Sequence, residues 1–163
     1  MRWLIIGCGC RGLALARAMG DAGHVVRGTS RDPGREPALA AAGVEPFIGD
    51  PDRVGTLIPA LANVGAVCVL LGSAIGQAEH LAALHGPRLE MLLSKLIDTT
   101  VRGMVYESGG TVPLPVLRHG AELVRAAAER SHIPYALLDA EPVDHRAWLE
   151  FARSAVERLG LDS

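Results

Sequence analysis

Aromatic residues are scarce in this sequence of 163 residues: they make up 4% of it, as two Trp, two Tyr and two Phe. A surplus of charge of either sign is missing as well, since 16 basic and 18 acidic residues leave a formal net charge of -2. This balance gives no reason to expect nucleic acid or an anionic membrane as a partner. The composition favours small molecules as ligands.

Long apolar runs are also missing, and we expect neither a membrane-spanning helix nor a secretory leader. No run reaches the roughly 18 residues that a membrane-spanning helix needs, and no basic segment with a cleavage site precedes Trp3. The three cysteines, Cys8, Cys10 and Cys68, are too few for a complete disulfide framework. We therefore expect a cytoplasmic protein with reduced thiols, folded as one domain spanning 1–163.

What the sequence does have is a glycine triplet near its start. Gly7, Gly9 and Gly12 form a GxGxxG between the apolar run 3–6 and the helical pattern 13–19. The first glycine permits a tight turn, the second lets a phosphate approach the backbone, and the third lets helix and strand pack closely. The motif predicts a dinucleotide bound at the helix N-terminus. The loop residues expected to bind it are Gly7, Cys8, Gly9, Cys10, Arg11 and Gly12.

Some residues of this loop have two interpretations. Arg11 either adds a cation near the phosphates or is an ordinary exposed arginine. Cys8 and Cys10 either replace the small residues usual in such loops or are oxidant-sensitive thiols at a helix N-terminus.

Apolar runs and helical patterns alternate along the whole chain. The runs predict strands at 2–6, 24–29, 44–48, 65–71, 101–107 and 133–138. The patterns predict helices at 11–22, 38–42, 50–61, 87–98, 113–130 and 145–159, with Gly23 as a C-terminal cap and Asp144 as an N-cap. This order predicts an α/β fold: a single Rossmann-type domain with a doubly wound parallel sheet of about six strands, in the order 3-2-1-4-5-6.

Small polar residues and an arginine end the second strand. A carboxylate at this place binds the ribose hydroxyls of NAD, whereas hydroxyls and an arginine favour the extra phosphate of NADP. Here the run is Thr29, Ser30 and Arg31, and the first acidic residue, Asp32, follows it. We expect NADP(H) as the preferred cofactor, with NAD(H) possible. The alternative is an ordinary polar turn before Pro33.

The segments 5–33, 41–57 and 65–74 resemble the atypical and extended short-chain dehydrogenase/reductase superfamily. The similarity is greatest to its NAD(P)-binding, epimerase-like branch, whose second strand ends in a Gly-Thr-Thr/Ser-Arg pattern. The segments 101–112 and 121–142 resemble the fifth strand of that family and its penultimate helix with the sixth strand. This resemblance implies a Rossmann fold, a bound NAD(P) and oxidoreductase chemistry.

The resemblance also implies cofactor contacts beyond the glycine loop. Asp50 matches the family position that meets the adenine amino group, although it equally suits a helix N-cap. Leu71, Gly72 and Ser73 end the fourth strand, where the cofactor of the family crosses the sheet edge. For Gly72 the alternative is a simple turn.

The sequence departs from the family at the catalytic residues. Members that transfer hydride use a Tyr-x-x-x-Lys, but neither Tyr106 nor Tyr135 has a lysine four residues on, and the only lysine is Lys95. Ser108 matches the serine that ends the fifth strand. His119, near the position of the family's lysine, is either a general acid/base or a surface histidine. Ser108 and His119 are therefore the candidate catalytic residues.

Two functions remain open, with a structural domain that binds no nucleotide as a third. The first is an NADPH-dependent oxidoreductase on a small carbonyl substrate. The second is a non-catalytic NADP(H)-binding redox-sensing or regulatory module, which the missing Tyr-x-x-x-Lys favours. Relatives also continue into a substrate-binding lobe, so we expect that side to be missing or supplied by another subunit.

Three further expectations concern charges, metals and partners. Glu107 and Glu122 are expected at the surface. His80 and His85 are five residues apart, which does not place two ligands on one helix face, so no metal is expected. Apolar residues of the last helix favour a possible homodimer; they are Leu149, Phe151, Val156 and Leu159.

Overall fold

A parallel sheet of six strands forms the centre of the molecule. In the computed structural model, which describes residues 1–141 and 143–161, the strands are Arg2–Ile6 (β1), Val25–Ser30 (β2), Glu45–Ile48 (β3), Ala66–Val69 (β4), Met104–Glu107 (β5) and Tyr135–Leu138 (β6). Their order is β3-β2-β1-β4-β5-β6, and every neighbouring pair is parallel. The predicted fold class and strand order are confirmed. Pro142, which ends a segment of the family resemblance, and residues 162 and 163 of the predicted domain lie outside the described residues.

Helices cover both faces of this sheet. They are Cys10–Asp21 (α1), Glu36–Ala41 (α2), Ala78–Leu84 (α3), Pro87–Leu96 (α4), Leu114–Ser131 (α5) and His145–Arg158 (α6). On one face α1 packs against α6, and on the other α4 packs against α5. None of the helices in the described part of the chain has the length and apolar character needed to cross a membrane.

Each face of the sheet has its own core, and β1 contributes to both. Trp3 and Ile5 pack on the side of α1 and α6, whereas Leu4 and Ile6 pack on the side of α4 and α5. Successive side chains of a strand point to opposite faces, so a strand covered on both sides must be apolar throughout. All four side chains are at most 1% exposed.

The predicted caps of the first and last helices are confirmed. Gly23 has a φ of +96°, which suits glycine, and it follows directly on the C-cap of α1. At the start of α6, the carboxylate of Asp144 accepts the N–H of Ala147 at 3.1 Å.

The predicted helix at 50–61 is wrong. The segment forms two 3-10 turns, Val54–Thr56 and Ile58–Leu61. Pro59 has no N–H to donate within a longer α-helix, and the N–H of Leu57 bonds to the third residue before it rather than the fourth. Proline thus limits this connection to short turns.

The helix α3 forms where none was predicted. It has seven residues and buries only two, Leu81 and Leu84. Two apolar residues at helical spacing are too few to make a recognisable periodic pattern.

The last helix turns most of its apolar residues inward. Val156 and Leu159 are buried in the core and Leu149 is half-buried, while Phe151 is 40% exposed. The expectation that these four residues form an apolar outer surface is therefore wrong for Val156 and Leu159. A homodimer remains a prediction.

The strand order positions the ligand site. From β1 the chain builds outward through β2 and β3, and then crosses back to β4 on the other side of β1. In open α/β sheets, a crevice for ligands forms at the carboxyl ends of the strands where the order reverses. Here that crevice lies between the glycine loop after β1 and the loop after β4.

Candidate functional site

A cleft of about 460 Å³ opens at this point. Its walls come from the glycine loop, the end of β2, the segment after β3 and the loop after β4, with Glu107 and Trp148 at its inner end. The predicted cofactor residues that line it are Gly7, Cys8, Gly9, Cys10, Arg11, Gly12, Thr29, Ser30, Arg31, Leu71 and Ser73. Asp50 and Gly72 are not among the lining residues.

Glycine suits two positions of the loop for different structural reasons. Gly7 has a φ of +84°, and a Cβ there would lie 2.5 Å from the carbonyl oxygen of Leu70, so only glycine lets β1 and β4 meet this closely. A Cβ on Gly9 would meet no atom within 4 Å, which shows that this residue faces open space. That space fits the close approach of a phosphate to the backbone.

The first turn of α1 provides hydrogen-bond donors beside this space. Gly9 is the N-cap and has no capping side chain. Within the described residues, the N–H groups of Cys10, Arg11 and Gly12 have no acceptor. Unpaired N–H groups and the helix dipole together favour an anion at such a terminus.

Thr29 supports the loop from behind. It is 2% exposed, and its Oγ1 accepts the N–H of Gly7 at 3.3 Å. Its carbonyl oxygen accepts the N–H of Cys8 at 3.2 Å. Thr29 therefore holds the glycine loop in place.

Two arginines line the outer end of the cleft, after β2. They are Arg31, with a side chain 65% exposed, and Arg35. Asp32 lies between them, but its carboxylate accepts the N–H of Gly34 at 2.9 Å and caps a 3-10 turn. The Oγ of Ser30 accepts the N–H of Asp32 at 3.1 Å.

Asp52, and not Asp50, presents its carboxylate to the cleft. The Oδ1 of Asp50 accepts the N–H of Asp52 at 2.9 Å and so caps its own turn. The Oδ2 of Asp52 lies 2.7 Å from Nε2 of His80 and 4.0 Å from Nη1 of Arg31. Its Oδ1 lies 3.0 Å from Nη1 of Arg88. Asp52 thus joins the outer end of the cleft to α3 and α4.

Glu107 is not a surface charge, and that expectation is wrong. It ends β5 with its side chain directed toward α1 and α6, and it is 0% exposed. Its Oε1 accepts the N–H of Gly72 at 2.8 Å, and its Oε2 accepts the indole N–H of Trp148 at 2.9 Å. This carboxylate therefore fastens α6 to the loop after β4.

Arg11 completes the inner end. Its Nη2 lies 3.7 Å from Oε2 of Glu107, and its guanidinium carbon lies 5.2 Å from the centre of a ring of Trp148. Burial raises the pKa of Glu107, while Arg11 and the two hydrogen bonds act in the opposite direction. The net effect is a raised pKa, because the loss of solvation outweighs these partners.

Neither candidate catalytic side chain lines the cleft. Ser108 is half-buried after β5, where its N–H donates to the carbonyl oxygen of Leu138 at 3.0 Å. His119 is exposed on α5. The N–H of Gly72 donates to Glu107 and is not directed into the cleft. The structure thus gathers the phosphate loop and the basic residues, and it leaves Ser108 and His119 outside the cleft.

The two histidines considered as a pair have different partners. His80 binds Asp52, whereas the imidazole of His85 lies 3.0 Å from the carbonyl oxygen of Leu71 and 2.6 Å from the hydroxyl of Tyr106. Because the Nε2–H of His85 donates to that carbonyl, its Nδ1 accepts from Tyr106. Burial lowers the pKa of His85 and keeps it neutral. Among the described residues, no three His, Cys, Asp or Glu side chains are grouped as metal ligands.

The cysteines of the glycine loop differ in environment. Cys8 is buried, and burial raises the pKa of its thiol to about 11. A thiol with this pKa stays protonated and unreactive at neutral pH. Cys10 is exposed at the start of α1.

Sequence reasoning missed several cleft residues that can take part in binding, among them Arg35, Asp52, His80, Glu107 and Trp148. A signal existed for Glu107, because it ends a strand whose carboxyl end belongs to the predicted crevice. No local signal pointed to Trp148, because it contacts Glu107 from a position 41 residues further along the chain.

No protein-family model and no curated protein matches the sequence. Solved structures do match it. A short-chain dehydrogenase/reductase superfamily protein from Agrobacterium tumefaciens with bound NAD has a TM-score of 0.70 and 22% identity, over 85% of this chain and 48% of that one. This chain therefore has the same α/β fold as that protein.

Two further structures share this fold. UDP-glucuronic acid 4-epimerase from Bacillus cereus in complex with NAD has a TM-score of 0.68 and 15% identity, over 86% of this chain and 56% of that one. Triphenylmethane reductase from Citrobacter sp. complexed with NADP(H) has a TM-score of 0.64 and 20% identity, over 85% of this chain and 49% of that one. The chain spans about half the length of these structures.

Proposed function

We propose that the cleft binds NADP(H) in preference to NAD(H). The observation that carries this proposal is the open space in front of Gly9, beside the unpaired N–H groups of the first turn of α1. A pyrophosphate is the kind of anion that such a helix N-terminus binds. Support also comes from the structures of the same fold that contain NAD or NADP(H).

The charges of the outer end support the preference for NADP(H). Arg31 and Arg35 line this end, and of its two aspartates Asp52 is paired with Arg88 and His80. A guanidinium pairs well with the additional phosphate of NADP(H). The carboxylate of Asp32, which would otherwise suit the ribose hydroxyls of NAD, is engaged by Gly34.

Different residues of the chain contribute to different parts of the binding site. Thr29 holds the glycine loop, the first turn of α1 presents its N–H groups, and Arg31 and Arg35 supply positive charge at the outer end. When bound, a nicotinamide cofactor supplies or accepts a hydride. The described residues bind and orient the dinucleotide.

A binding or redox-sensing role without catalysis is favoured over reduction of a small carbonyl compound. The observation in its favour is the position of Ser108 and His119, which do not line the cleft. NADPH consumption over a panel of carbonyl compounds separates the two functions. We expect no consumption above background, whereas consumption that Ser108→Ala or His119→Ala abolishes would establish the reductase.

Calorimetric titration with NADPH, NADP and NAD tests the proposal itself. We expect NADPH and NADP to bind more tightly than NAD. In the variant Gly9→Val the new side chain occupies the space in front of the loop, and binding should be lost. Because Gly9 has a φ of -83°, which valine also adopts, this variant should remain folded.

Gly20→Ala is the matched control, because a Cβ there also meets nothing within 4 Å but lies far along α1. It should bind like the wild type. Failure of all three nucleotides to bind the wild type up to about 1 mM would refute the proposal. Equal binding by Gly9→Val and Gly20→Ala would refute the assignment of the phosphates to this loop.

A further inference from the structure

In the ion pair between Arg11 and Glu107, the glutamate is buried and the arginine is accessible from the cleft. The side chain of Glu107 is 1% exposed, while that of Arg11 is 23% exposed and lines the cleft. Their closest N–O distance of 3.7 Å is too long for a hydrogen bond. Both oxygens of the carboxylate accept from other donors, Gly72 and Trp148. Arg11 therefore pairs with Glu107 by charge alone and can exchange this partner for another anion.

We propose that Glu107 is a positioning residue that takes up a proton when a ligand occupies the cleft. Arg11 turns from the carboxylate to an anionic group of the ligand at the glycine loop, and Glu107 binds one proton from the solvent. This inference rests on the proposed function, because the anionic group is the pyrophosphate of the dinucleotide.

Arg11 has to move only a short distance to exchange Glu107 for an anionic group of the ligand. It belongs to the first turn of α1, whose N–H groups face the open space in front of Gly9. Its long side chain therefore starts beside the site of the phosphates. Its guanidinium carbon now lies 5.2 Å from the centre of a ring of Trp148, a residue that also lines the cleft.

The loss of Arg11 changes the state of Glu107. A buried carboxylate without a cation is strongly unfavourable, and protonation removes its charge. Burial already raises the pKa of Glu107, and Arg11 is the one cation that lowers it. When Arg11 turns away, the pKa rises further. Ligand binding and proton binding then favour each other.

Among the described residues, the other elements around Glu107 contribute two titratable groups, Tyr106 and Asp139. The end of β4 contributes Gly72, α6 contributes the neutral Trp148, and Leu138 of β6 is its partner in the sheet. Burial and Glu107 itself raise the pKa of Tyr106, the preceding residue, so that its phenol stays neutral. Asp139, after β6, faces Gly109.

Calorimetry in buffers of different ionisation enthalpy counts the protons taken up on binding. We would titrate with NADPH and with ADP-ribose, which carries the pyrophosphate but no phosphate that titrates near neutral pH. At pH values above the raised pKa of Glu107 in the free protein and below its pKa in the complex, we expect uptake of up to one proton per site. The Kd should increase with pH by at most about tenfold per pH unit.

Glu107→Gln removes the titrating group at nearly constant volume. It should abolish the uptake and flatten the pH dependence of the Kd, whereas Glu122→Gln, at an exposed carboxylate on α5, should leave both unchanged. An infrared difference spectrum gives a second readout: the band of a protonated carboxyl should appear on binding in the wild type and not in Glu107→Gln. If Glu107→Gln does not fold, the wild-type proton count with ADP-ribose and this band decide.

The outcomes separate the two proposals. Binding of NADPH and ADP-ribose without proton uptake, or uptake with NADPH alone, overturns this inference and leaves the proposed function intact. Absence of NADPH binding overturns the proposed function. In that case uptake with ADP-ribose supports the role of Glu107, and its absence, or no binding of ADP-ribose either, overturns that role.

Discussion

The two ends of the cleft hold their charges in different ways. At the outer end, Arg31 is 65% exposed and shares Asp52 with His80 and Arg88. At the inner end, Glu107 is buried and has two fixed hydrogen bonds. Water and salt screen exposed pairs, whereas a buried charge is costly to leave without partners. Substitutions at the outer end should therefore change ligand affinity, and those at the inner end should change stability and its pH dependence.

The largest expected effect is the loss of Trp148 at the inner end. Trp148→Ala removes a side chain that is 0% exposed and should lower the free energy of unfolding by about 3–5 kcal/mol. Trp148→Phe keeps an aromatic ring but removes the donor to Glu107, and should cost about 1–3 kcal/mol. Urea denaturation measures both.

Phe151→Ala, on the exposed side of the same helix, is the control and should change stability by less than about 1 kcal/mol. A Trp148→Phe variant as stable as the wild type would mean that the hydrogen bond to Glu107 contributes nothing. The polar contacts at the inner end would then contribute as little to stability as the exposed ones at the outer end.

The next largest effect is expected at the glycine loop, which lies between the two ends. Gly7→Ala places a Cβ 2.5 Å from the carbonyl oxygen of Leu70 in a left-handed backbone conformation, and should cost at least about 2 kcal/mol. Gly20→Ala, at an open position in the last turn of α1, should instead stabilise the protein by up to about 1 kcal/mol. Equal unfolding free energies for the two variants would contradict the close approach of β1 and β4.

Glu107 should make the wild type less stable as the pH rises. A carboxyl whose pKa is raised on folding binds more protons in the folded state, so its contribution is complete below the ordinary carboxyl pKa and is lost as the pH passes the raised value. The difference in stability between the wild type and Glu107→Gln should therefore shift against the wild type with increasing pH, by at most about 1.4 kcal/mol per pH unit.

Urea denaturation at several pH values measures this slope. Arg125 lowers the pKa of Glu122, so the comparison with Glu122→Gln should have the opposite sign, with the wild type losing stability as the pH falls. A slope for Glu107 in the same direction as for Glu122 would show that Arg11 and the hydrogen bonds outweigh burial.

Sequence reasoning recovered what depends on neighbours in the chain. The apolar runs predicted all six strands and their order, and Asp144 was correctly predicted as a cap because its partner, Ala147, is three residues away. The predicted residues of the glycine loop all line one cleft, and their binding of a phosphate stays a prediction.

What sequence reasoning missed depends on distant residues. Glu107 is buried because Gly72 and Trp148, 35 and 41 residues away, supply its hydrogen bonds. Asp52 rather than Asp50 faces the cleft because a turn of two residues directs the carboxylate of Asp50 to its own backbone. No local pattern contains either fact.

The smallest expected free-energy change, and the most direct test of NADP(H) binding, belongs to the outer end. Arg31→Ala should weaken the binding of NADPH about tenfold, or about 1.4 kcal/mol, because it removes a cation from the site of the additional phosphate. Its stability should change by less than about 0.5 kcal/mol, since the side chain is exposed. Arg17→Ala, at an exposed position of α1 outside the cleft, is the control.

The measurement is the ratio of the Kd of NADH to that of NADPH, in the wild type and in Arg31→Ala, at one salt concentration. The proposed binding mode predicts a ratio of at least about ten in the wild type, and a clearly smaller ratio in Arg31→Ala with the Kd of NADH unchanged. A wild-type ratio near one, or an equal loss of both cofactors in Arg31→Ala, would contradict it.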